Sequence, residues 1–429
     1  MATGREMDGG GQGMQALAGI RVLDLSRVLA GPWCTQILAD FGADVIKIEA
    51  PGTGDDTRTW GPPSLAPADG TDEPGLSAYY LSCNRNKRSA AINIARPQGA
   101  DLIRRLAARA DVVVENFKLG GLRKLGLDYE SLRAANPRLV YCSITGFGQT
   151  GPYADRPGYD FVAQAMGGMM SITGEPNGPP IKPGVAMADV STGMYATVSI
   201  LLALRHAERT GVGQHIDCSL LDTQISMLAN QALSFLVGGV SPRRLGNVHP
   251  TVVPYGLFDA KDGPIVVAVG NNGQYAALCD ILGVPELAAD PRYATNGDRV
   301  VNRGTLEPAL QAVIARWTVG ELMAALPARG VPSGPVNTIG QIFADPFVEA
   351  RGTVHHFERE DGVRVPSVAY PGKLSETPAR FDRPPPRLGE HTDEILGDWL
   401  SLTPSDLAAL RREGVIADRA DRDSKGGRQ

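Results

Sequence analysis

The chain has 429 residues, of which 43% are apolar and 21% are charged, so it can bury the core of a globular protein of roughly two or three domains. Its formal net charge of −5 argues against a general attraction to nucleic acid. The sequence contains no run of about 18 uninterrupted apolar residues, which argues against a membrane span. The five cysteines are scattered without a CxxC pair, which argues against a metal site and against a disulfide framework.

Both ends of the chain have the composition of unfolded segments. Residues 1–14 lack the apolar stretch of a secretory signal, and they contain Glu6 and Asp8, which are unusual in a transit peptide. Residues 419–429 are mostly charged or small. We therefore expect both segments to be disordered and the protein to be cytoplasmic.

From Ile20 onward, short apolar runs alternate with amphipathic segments. The runs IRVLDL, VIKIE, AAINI, VVVEN and LVYCSIT predict strands, and WCTQILADFGA and DLIRRLAARA predict helices between them. Nearly continuous apolar strands separated by helices are typical of a parallel sheet that is covered on both faces. The predicted fold class is therefore α/β, with an open, mostly parallel, Rossmann-like sheet.

The composition of the chain changes near residue 237. Before it, two long helical patterns cover about 191–208 and 219–236, and TGVGQHIDCS supplies a strand between them. After it come the strand PIVVAVG and several short helical patterns, and the segments LGEHTDEIL and LTPSDLAALRREGVI close the chain as helices. We predict a large α/β domain built from 15–234 and 341–418, with a smaller domain, 235–340, inserted.

The common nucleotide and hydrolase motifs are absent from the sequence. The turn after IRVLDL is SRVLAGPWC, not GxGxxG, and there is no GxxxxGKS, HExxH or GxSxG. Instead, the polar loops GTGDDTRTWGPP, NRNKRS and ENFKLGGLRKLG follow successive strands. Each alone is compatible with a solvated loop. Together they would converge on the edge where open α/β sheets bind ligands, and their cations and aromatic residues suit a ligand with phosphates and a purine.

Asp189 stands at a junction between a Pro/Gly-rich approach and an apolar run. In AMADVSTG (186–193) its neighbours are small or β-branched, and the run MYATVSILLALRH follows. An aspartate here can cap the helix, because its carboxylate accepts hydrogen bonds from the free N–H groups of a first turn. These residues alone leave open whether Asp189 is a cap or a functional carboxylate.

Several segments, taken in order and spacing, resemble the family III CoA-transferases, the group of formyl-CoA and carnitine CoA-transferases. They are VLDLSRVLAGP, ADFGADVIKIE, GDDTRTWGPP, NRNKRS, VENF, YCSITGFGQTGP, PGYD, VAMADVSTG and LGEHTDEIL. The resemblance extends from about Leu17 to about Val415. GDDTRTWGPP, YCSITGFGQTGP and PGVAMADVSTGMYA are most similar to the dicarboxylate branch of the family.

The resemblance implies that Asp189 is the catalytic nucleophile. In such enzymes the carboxylate attacks the donor thioester, which gives a mixed anhydride and a CoA thiolate. The thiolate returns to form an aspartyl-CoA thioester, which the acceptor carboxylate attacks. An aspartate of ordinary pKa, near 3.9, would be ionised at neutral pH, and the helix N–H groups could stabilise the anhydride oxygens. A capping role and a catalytic role are then compatible.

The resemblance also implies roles for other positions. It places Val28 and Leu29 in a loop under the pantetheine, and Asn116 and Phe117 at the adenosine end of CoA. Lys124 would supply a cation for CoA, and Tyr159 and Asp160 would line the acyl site. The segment GNVHPTVVPY, which contains His249, would form a loop over the active site. Formyl-CoA transferase has glutamine at the position of Leu29 and arginine at that of Ala50, which argues against formate as acceptor. For a second carboxylate on the substrate, Arg58 is the candidate, because guanidinium pairs bidentately with carboxylate.

The function implied is reversible CoA transfer from succinyl-CoA to glutarate or a related dicarboxylate. The resemblance implies an interlocked homodimer, CoA as a substrate, and no metal or redox cofactor. Two alternatives remain open. An α-methylacyl-CoA racemase of the same fold typically carries GHD where this chain has PGYD, and Tyr159 is a poor base at neutral pH. A noncatalytic acyl-CoA-binding protein would not use Asp189.

Overall fold

The computed structural model describes residues 15–66 and 75–417, so the predicted disordered segments 1–14 and 419–429 lie outside the described residues. The chain divides into two compact units. The first comprises the described residues up to Gly167, together with Pro183–Ala229 and the chain from Glu349 onward, and the second comprises Gly168–Lys182 and Asn230–Val348.

Strands and helices alternate through most of the chain. The strands are β1 Arg21–Asp24, β2 Asp44–Glu49, β3 Ser64–Leu65, β4 Leu76–Ser77, β5 Arg88–Ile92, β6 Val112–Glu115, β7 Val140–Thr145, β8 His215–Ser219, β9 Tyr255–Ala260, β10 Gly263–Ala268, β11 Ser333–Pro335, β12 Val354–Glu358, β13 Arg364–Val368 and β14 Ile416–Ala417. The α-helices are α1 Ala30–Asp40, α2 Ala78–Leu81, α3 Pro97–Ala107, α4 Tyr129–Arg133, α5 Asp160–Met166, α6 Met169–Ile172, α7 Met187–Thr210, α8 Leu220–Ser226, α9 Ala229–Gly238, α10 Asn272–Ile281, α11 Pro285–Ala289, α12 Asn296–Val301, α13 Arg303–Ile314, α14 Val319–Ala325, α15 Ile339–Phe343, α16 Pro346–Ala350, α17 Thr392–Leu400 and α18 Pro404–Arg412.

The first unit is built on a seven-stranded sheet in the order β14-β5-β2-β1-β6-β7-β8. Six of these strands are parallel, and β14 alone is antiparallel to its neighbour β5. The predicted mostly parallel sheet is therefore confirmed. The chain moves outward from β1 through β2 to β5 and then returns to β6 on the other side of β1. Ligands of such sheets bind beyond the carboxyl ends of the strands at this reversal.

Helices cover both faces of the sheet, as its apolar strands require. Leu23 and Ile46 pack in a core with α3 and α17, whereas Val22 and Val45 pack in a separate core with α1 and α7. Helices α1 and α7 approach so closely that a Cβ added at Gly193 would stand 2.6 Å from the backbone oxygen of Ala30. Glycine at this position therefore permits α7 to pack directly on α1.

The second unit has its own core around the antiparallel sheet β11-β10-β9 and helices α10 to α14. It also holds 168–182, which the sequence analysis assigned to the large domain. Arg244 and the backbone of Gly246 donate hydrogen bonds to the carbonyl oxygens of Gly178 and Gly174, at 2.9 and 3.1 Å. The single helix predicted over 219–236 is two helices, because Ala229, the first residue of α9, takes a positive φ of 46° that interrupts the helical path.

Two buried ion pairs lie beneath the loop that follows β1. Lys87 contacts Asp24 at 3.1 Å and Lys47 contacts Asp55 at 2.8 Å, and all four side chains are inaccessible to solvent. These groups also bind the main chain of the loop. Their contacts are Asp24 with Ser26 N, Lys47 with Ser26 O, Asp55 with Val28 N, and Lys87 with Pro32 O. The ion pairs therefore fix the path of the loop from Ser26 to Pro32.

We expect Asp55→Ala to lower the free energy of unfolding by about 3–5 kcal/mol, because it leaves Lys47 charged and unpaired in the interior. Urea denaturation would measure the loss. Glu130→Ala is the matched control, since the Glu130–Arg133 pair is exposed and its removal should cost less than about 1 kcal/mol. Equal losses in the two variants would show that the buried pair contributes no more than a surface pair.

Candidate active site

A cleft of about 220 Å³ opens in the first unit beyond the carboxyl ends of β1, β6 and β7. It is lined by 27–30, 116–119, 144–146 and 154–159, together with Asp56, Asp189 and Leu220. The first two segments follow β1 and β6, the two strands at which the strand order reverses. The cleft thus lies where the sheet topology places a ligand site.

Asp189 lines this cleft from the first turn of α7. Its carboxylate receives no hydrogen bond from any residue within 15–66 or 75–417, and it is only partly exposed. Burial, and then the nearby carboxylate of Asp160, raise the pKa of Asp189 from 3.8 to about 7. The expectation of an ordinary pKa is therefore wrong, because the sequence does not reveal that a second carboxylate faces this one.

The residue that caps α7 is Asp160, not Asp189. Asp160 Oδ1 accepts hydrogen bonds from the backbone N–H groups of Ala188 and Asp189, at 2.8 and 3.2 Å. The N–H groups of Met187 and Val190 donate to the carbonyl oxygens of Val185 and Ala186. The predicted cap at Asp189 is therefore wrong, and these four N–H groups are already occupied, so they are not free to stabilise an anhydride.

Val28 and Leu29 lie on the cleft wall, in the loop held by the buried ion pairs. Val28 has a φ of 72°, which is rare for a β-branched residue, and its N–H group is 3.3 Å from both carboxylate oxygens of Asp55. Burial by itself would raise the pKa of Asp55, but Lys47 and the hydrogen bonds to Thr57 outweigh it and lower the pKa to about 2. Asp55 therefore remains an anion that can hold Val28 in this conformation.

Asn116 and Phe117 also line the cleft, but Asn116 has a structural task. Its side-chain amide accepts a hydrogen bond from Arg27 N at 2.9 Å and donates one to Arg27 O at 2.7 Å. This reciprocal pair joins the loop after β1 to the loop after β6. The guanidinium of Arg27 lies over the ring of Phe117, 5.7 Å from its centroid, and forms an ion pair with Asp56.

The remaining predicted residues are divided among several environments. Tyr159 lines the cleft and is 65% exposed, and Asp160 follows it at the start of α5. Lys124 is exposed in a short 3-10 turn, Arg123–Leu125, and does not line the cleft. His249 belongs to the second unit, where its ring packs 5.2 Å from that of Tyr255.

Arg58 is buried, and its role differs from the one predicted. The guanidinium binds both carboxylate oxygens of Glu49, at 2.8 and 2.7 Å, and also contacts the Tyr80 hydroxyl and the Pro386 carbonyl. Only 7% of the side chain is accessible, and Arg58 does not line the cleft. The prediction that it binds a substrate carboxylate is therefore wrong in this arrangement. The loop sequence gave no sign that Glu49 would be its partner.

The cations that line the cleft are Arg27, Lys118 and Arg156, none of which the sequence analysis selected. Each lies in or directly beside a motif that was recognised: Arg27 is in SRVLAGP, Lys118 follows VENF, and Arg156 immediately precedes PGYD. Tyr79 was also missed. Burial, followed by the charge of Asp189, raises the pKa of Tyr79 to about 12, so its phenol remains protonated at neutral pH.

A second buried carboxyl group supports the wall of the cleft. Glu115, at the end of β6, accepts a hydrogen bond from Phe117 N at 2.7 Å, and burial raises its pKa to about 7.

Among the described residues, no group of three or more His, Cys, Asp or Glu is placed to hold a metal ion. The cleft therefore offers a free carboxylate, three cations and an aromatic face, which suit acyl transfer to a carboxylate and the binding of phosphates.

These features define a transferase that acts on acyl thioesters, and the chain belongs to CoA-transferase family III, whose family model matches residues 17–392. It is 53% identical over 382 residues to succinate–glutarate CoA-transferase of Agrobacterium fabrum, covering 89% of this chain and 95% of that one. It is 45% identical to succinyl-CoA:glutarate CoA-transferase of Homo sapiens, covering 94% and 90%. Among solved structures, it is similar to a CAIB/BAIF family protein from Brucella suis, with 48% identity, a TM-score of 0.80, and coverage of 90% and 100%.

The raised pKa of Asp189 makes its effect on stability depend on pH. In the folded state Asp189 binds its proton more tightly than in the unfolded state. The contribution of the protonated side chain to the free energy of unfolding is therefore complete below pH 3.8 and is lost as the pH rises through about 7. We expect Asp189→Asn to raise the free energy of unfolding at pH 8 by on the order of 2 kcal/mol, a discounted value for a partly accessible group.

Urea denaturation of both proteins at pH 8 and pH 4 would measure this difference, which should nearly vanish at pH 4. Asp101→Asn is the control, since its carboxylate is 53% exposed and its loss should change stability little at either pH. Equal stability of wild type and Asp189→Asn at pH 8 would contradict the burial and repulsion described for this carboxylate.

Proposed function

We propose that the protein catalyses reversible transfer of CoA from succinyl-CoA to glutarate or a related dicarboxylate. The observation that carries the proposal is the Asp189 carboxylate, which lines the cleft without a hydrogen-bonding partner among the described residues. The names of two relatives, at 53% and 45% identity, support the choice of donor and acceptor.

The proposed reaction begins with attack of the Asp189 carboxylate on the thioester carbonyl of succinyl-CoA. The C–S bond breaks, CoA leaves as a thiolate, and a succinyl-aspartyl anhydride remains. The thiolate then attacks the aspartyl carbonyl of the anhydride, which releases succinate and forms an aspartyl-CoA thioester. The acceptor carboxylate attacks that thioester, and the same steps in reverse give glutaryl-CoA and free Asp189.

Every step exchanges one acyl bond for another of similar energy, so the proposal requires CoA as a substrate and no metal or redox cofactor. Arg27, Lys118 and Arg156 line the cleft, and we propose that they bind the phosphates of CoA, since guanidinium and ammonium groups both bind phosphate oxygens. Phe117 offers an aromatic face for the adenine, and Lys124 is proposed to supply a further cation at the outer end.

The contacts proposed for the acyl and pantetheine ends are residues that line the same cleft as Asp189. Val28 and Leu29 form a fixed wall of the cleft, which we propose contacts the pantetheine arm. Tyr159 lines the cleft beside the Asp189 helix and is proposed to face the acyl group. His249, on the 246–255 loop of the second unit, is retained as a candidate substrate contact from the resemblance alone.

We propose that two chains form an interlocked homodimer in the cytoplasm. Among the described helices, α7 is the one that by itself is long and apolar enough to span a membrane, but half of its most apolar window is buried in the protein. On its other side α7 exposes Val198 and Leu202, with accessibilities of 53% and 67%. A second chain would cover this apolar surface, which is unusual on a monomer.

The assembly is tested by its response to dilution. Interlocked chains cannot separate without unfolding, so we expect a particle of twice the 45.4 kDa chain mass at micromolar and at nanomolar concentration. Mass photometry and sedimentation velocity would measure it. Folded monomers that appear on dilution would contradict the interlocked arrangement, and a monomer at all concentrations would contradict the dimer itself.

The reaction is tested with succinyl-CoA and a panel of acids. We expect new CoA thioesters with glutarate and other dicarboxylates, and slower transfer to monocarboxylates of the same length, detected by mass spectrometry. Wild type incubated with the donor and then with hydroxylamine should carry a hydroxamate on the peptide that contains Asp189. Asp189→Asn should bind CoA but form neither product nor hydroxamate, because an amide cannot form the anhydride.

The same assay separates the alternatives. Exchange of the α-proton of a 2-methylacyl-CoA in D₂O, without transfer, would indicate a racemase. Thioester binding without either reaction would indicate a binding protein. Transfer at the wild-type rate by Asp189→Asn, with deamidation excluded by mass, would contradict the covalent mechanism.

A further inference from the structure

A single carboxylate oxygen of Asp160 caps the first turn of α7, the helix that carries Asp189. Oδ1 accepts the N–H groups of Ala188 and Asp189, and Oδ2 accepts Gln164 Nε2 at 2.7 Å. Gln164 is fully buried, one turn further along α5. Both oxygens of Asp160 are therefore held by hydrogen bonds from α5 and α7.

This arrangement removes from Asp189 the donors that usually stabilise a carboxylate at a helix N-terminus. The positive end of the α7 dipole and two of its free N–H groups are satisfied by Asp160. Asp189 is left in the first turn, partly buried, beside a second carboxylate and with no hydrogen bond of its own from the described chain. Its anion is consequently less stable than that of an ordinary capping aspartate.

We propose that Asp160 is a positioning residue of the transfer reaction, which holds the first turn of α7 and keeps the Asp189 carboxylate unbonded and electrostatically destabilised. The inference rests on the proposed function, in which Asp189 is the nucleophile. It replaces the role first assigned to Asp160, a direct contact with the acyl group.

The chemical benefit follows from the charges of the intermediates. In the free enzyme Asp189 is an anion and repels Asp160, but in the anhydride and in the aspartyl-CoA thioester Asp189 carries no charge. The repulsion is therefore relieved when the covalent bond forms, which favours the acylated enzyme over the free enzyme. A more basic carboxylate is also a stronger nucleophile. Both effects depend on the negative charge of Asp160, and not only on its capping oxygen.

The test compares variants that keep a capping oxygen but lose the charge. Asp160→Asn keeps an amide oxygen in place of Oδ1, and Asp160→Ser keeps a hydroxyl oxygen one bond closer to the main chain. In wild type the rate of transfer should fall below about pH 7, where Asp189 becomes protonated. In both variants we expect this acid limb to move down by about one pH unit or more, and the rate at pH 8 to fall by roughly tenfold.

The dependence of the transfer rate on pH can be attributed to Asp189 only if the other charged groups near the site do not produce it. The ionisable groups that interact with Asp189 are Asp160 from α5 and Tyr79 from α2, and Tyr79 stays protonated because its pKa is about 12. Arg27, Asp56, Lys118, Asp155 and Arg156 line the same cleft and are unchanged between the proteins compared. Glu115 has a pKa near 7, but an acid limb caused by Glu115 would stay in place when Asp160 is changed.

The control is Thr403→Ala, which removes a capping side chain from α18, far along the chain in the same unit. It should leave the acid limb where it is in wild type, while thermal unfolding reports any loss of stability. An acid limb at the same pH in wild type and in both Asp160 variants would overturn the inference. A shift in either folded variant supports it, so failure of one variant to fold does not prevent the test.

Hydroxylamine capture distinguishes failure of this inference from failure of the proposed function. If wild type forms no hydroxamate at Asp189 at any pH, the covalent mechanism is wrong. If wild type and the variants form it with the same dependence on pH and the same yield, the mechanism stands and the role of Asp160 is wrong. We expect a lower yield of hydroxamate in the variants, because they lack the repulsion that acylation relieves.

Discussion

The pairing of buried charges beneath the loop after β1 is the constraint on which the cleft depends. The side chains of Lys47 and Asp55 have no access to water, so each charge requires the other as its partner. Each also forms a hydrogen bond with the loop above: Lys47 donates to the carbonyl oxygen of Ser26, and Asp55 accepts from the N–H group of the strained Val28. Apolar residues of the same size could fill this volume but could not fix a backbone N–H group at positive φ. The ion pairs therefore serve the geometry of the cleft more than the stability of the core.

The strand order then decides where this fixed loop can act. Because β1 and β6 are neighbours at the reversal of the sheet, the loops after them separate and leave a crevice, and Asn116 joins them through both polar atoms of Arg27's main chain. A similar close contact joins two other segments of the wall, since a Cβ on Gly146 would lie 2.5 Å from the Cα of Gly158. The cleft is thus a preformed site whose walls are held by main-chain contacts.

The sequence was sufficient for the family and the parallel sheet, because these depend on local patterns and on motifs of fixed order. It was not sufficient for interactions between distant segments. Asp160 caps a helix that begins 27 residues later, and the partner of Arg58 is Glu49, on a preceding strand. The motif PGYD was recognised, but nothing in its letters distinguishes a substrate contact from a cap. The exposed cations of the cleft were missed because exposure, and not residue type, separates them from buried ones.

In the proposed mechanism, the two carboxylates at the start of α7 divide two tasks, capping and nucleophilic attack, that a single residue could not perform together. A capping aspartate is stabilised as an anion, which lowers its pKa and weakens it as a nucleophile. A nucleophile that forms an acyl bond must lose its charge, so any interaction that favours the anion opposes the reaction. Assigning the cap to Asp160 leaves Asp189 without such interactions, and the repulsion between them acts only while Asp189 is ionised. In the proposed mechanism, the N-terminus of α7 therefore stabilises the carboxylate of Asp160, and Asp189 becomes a better nucleophile because the helix does not stabilise its anion.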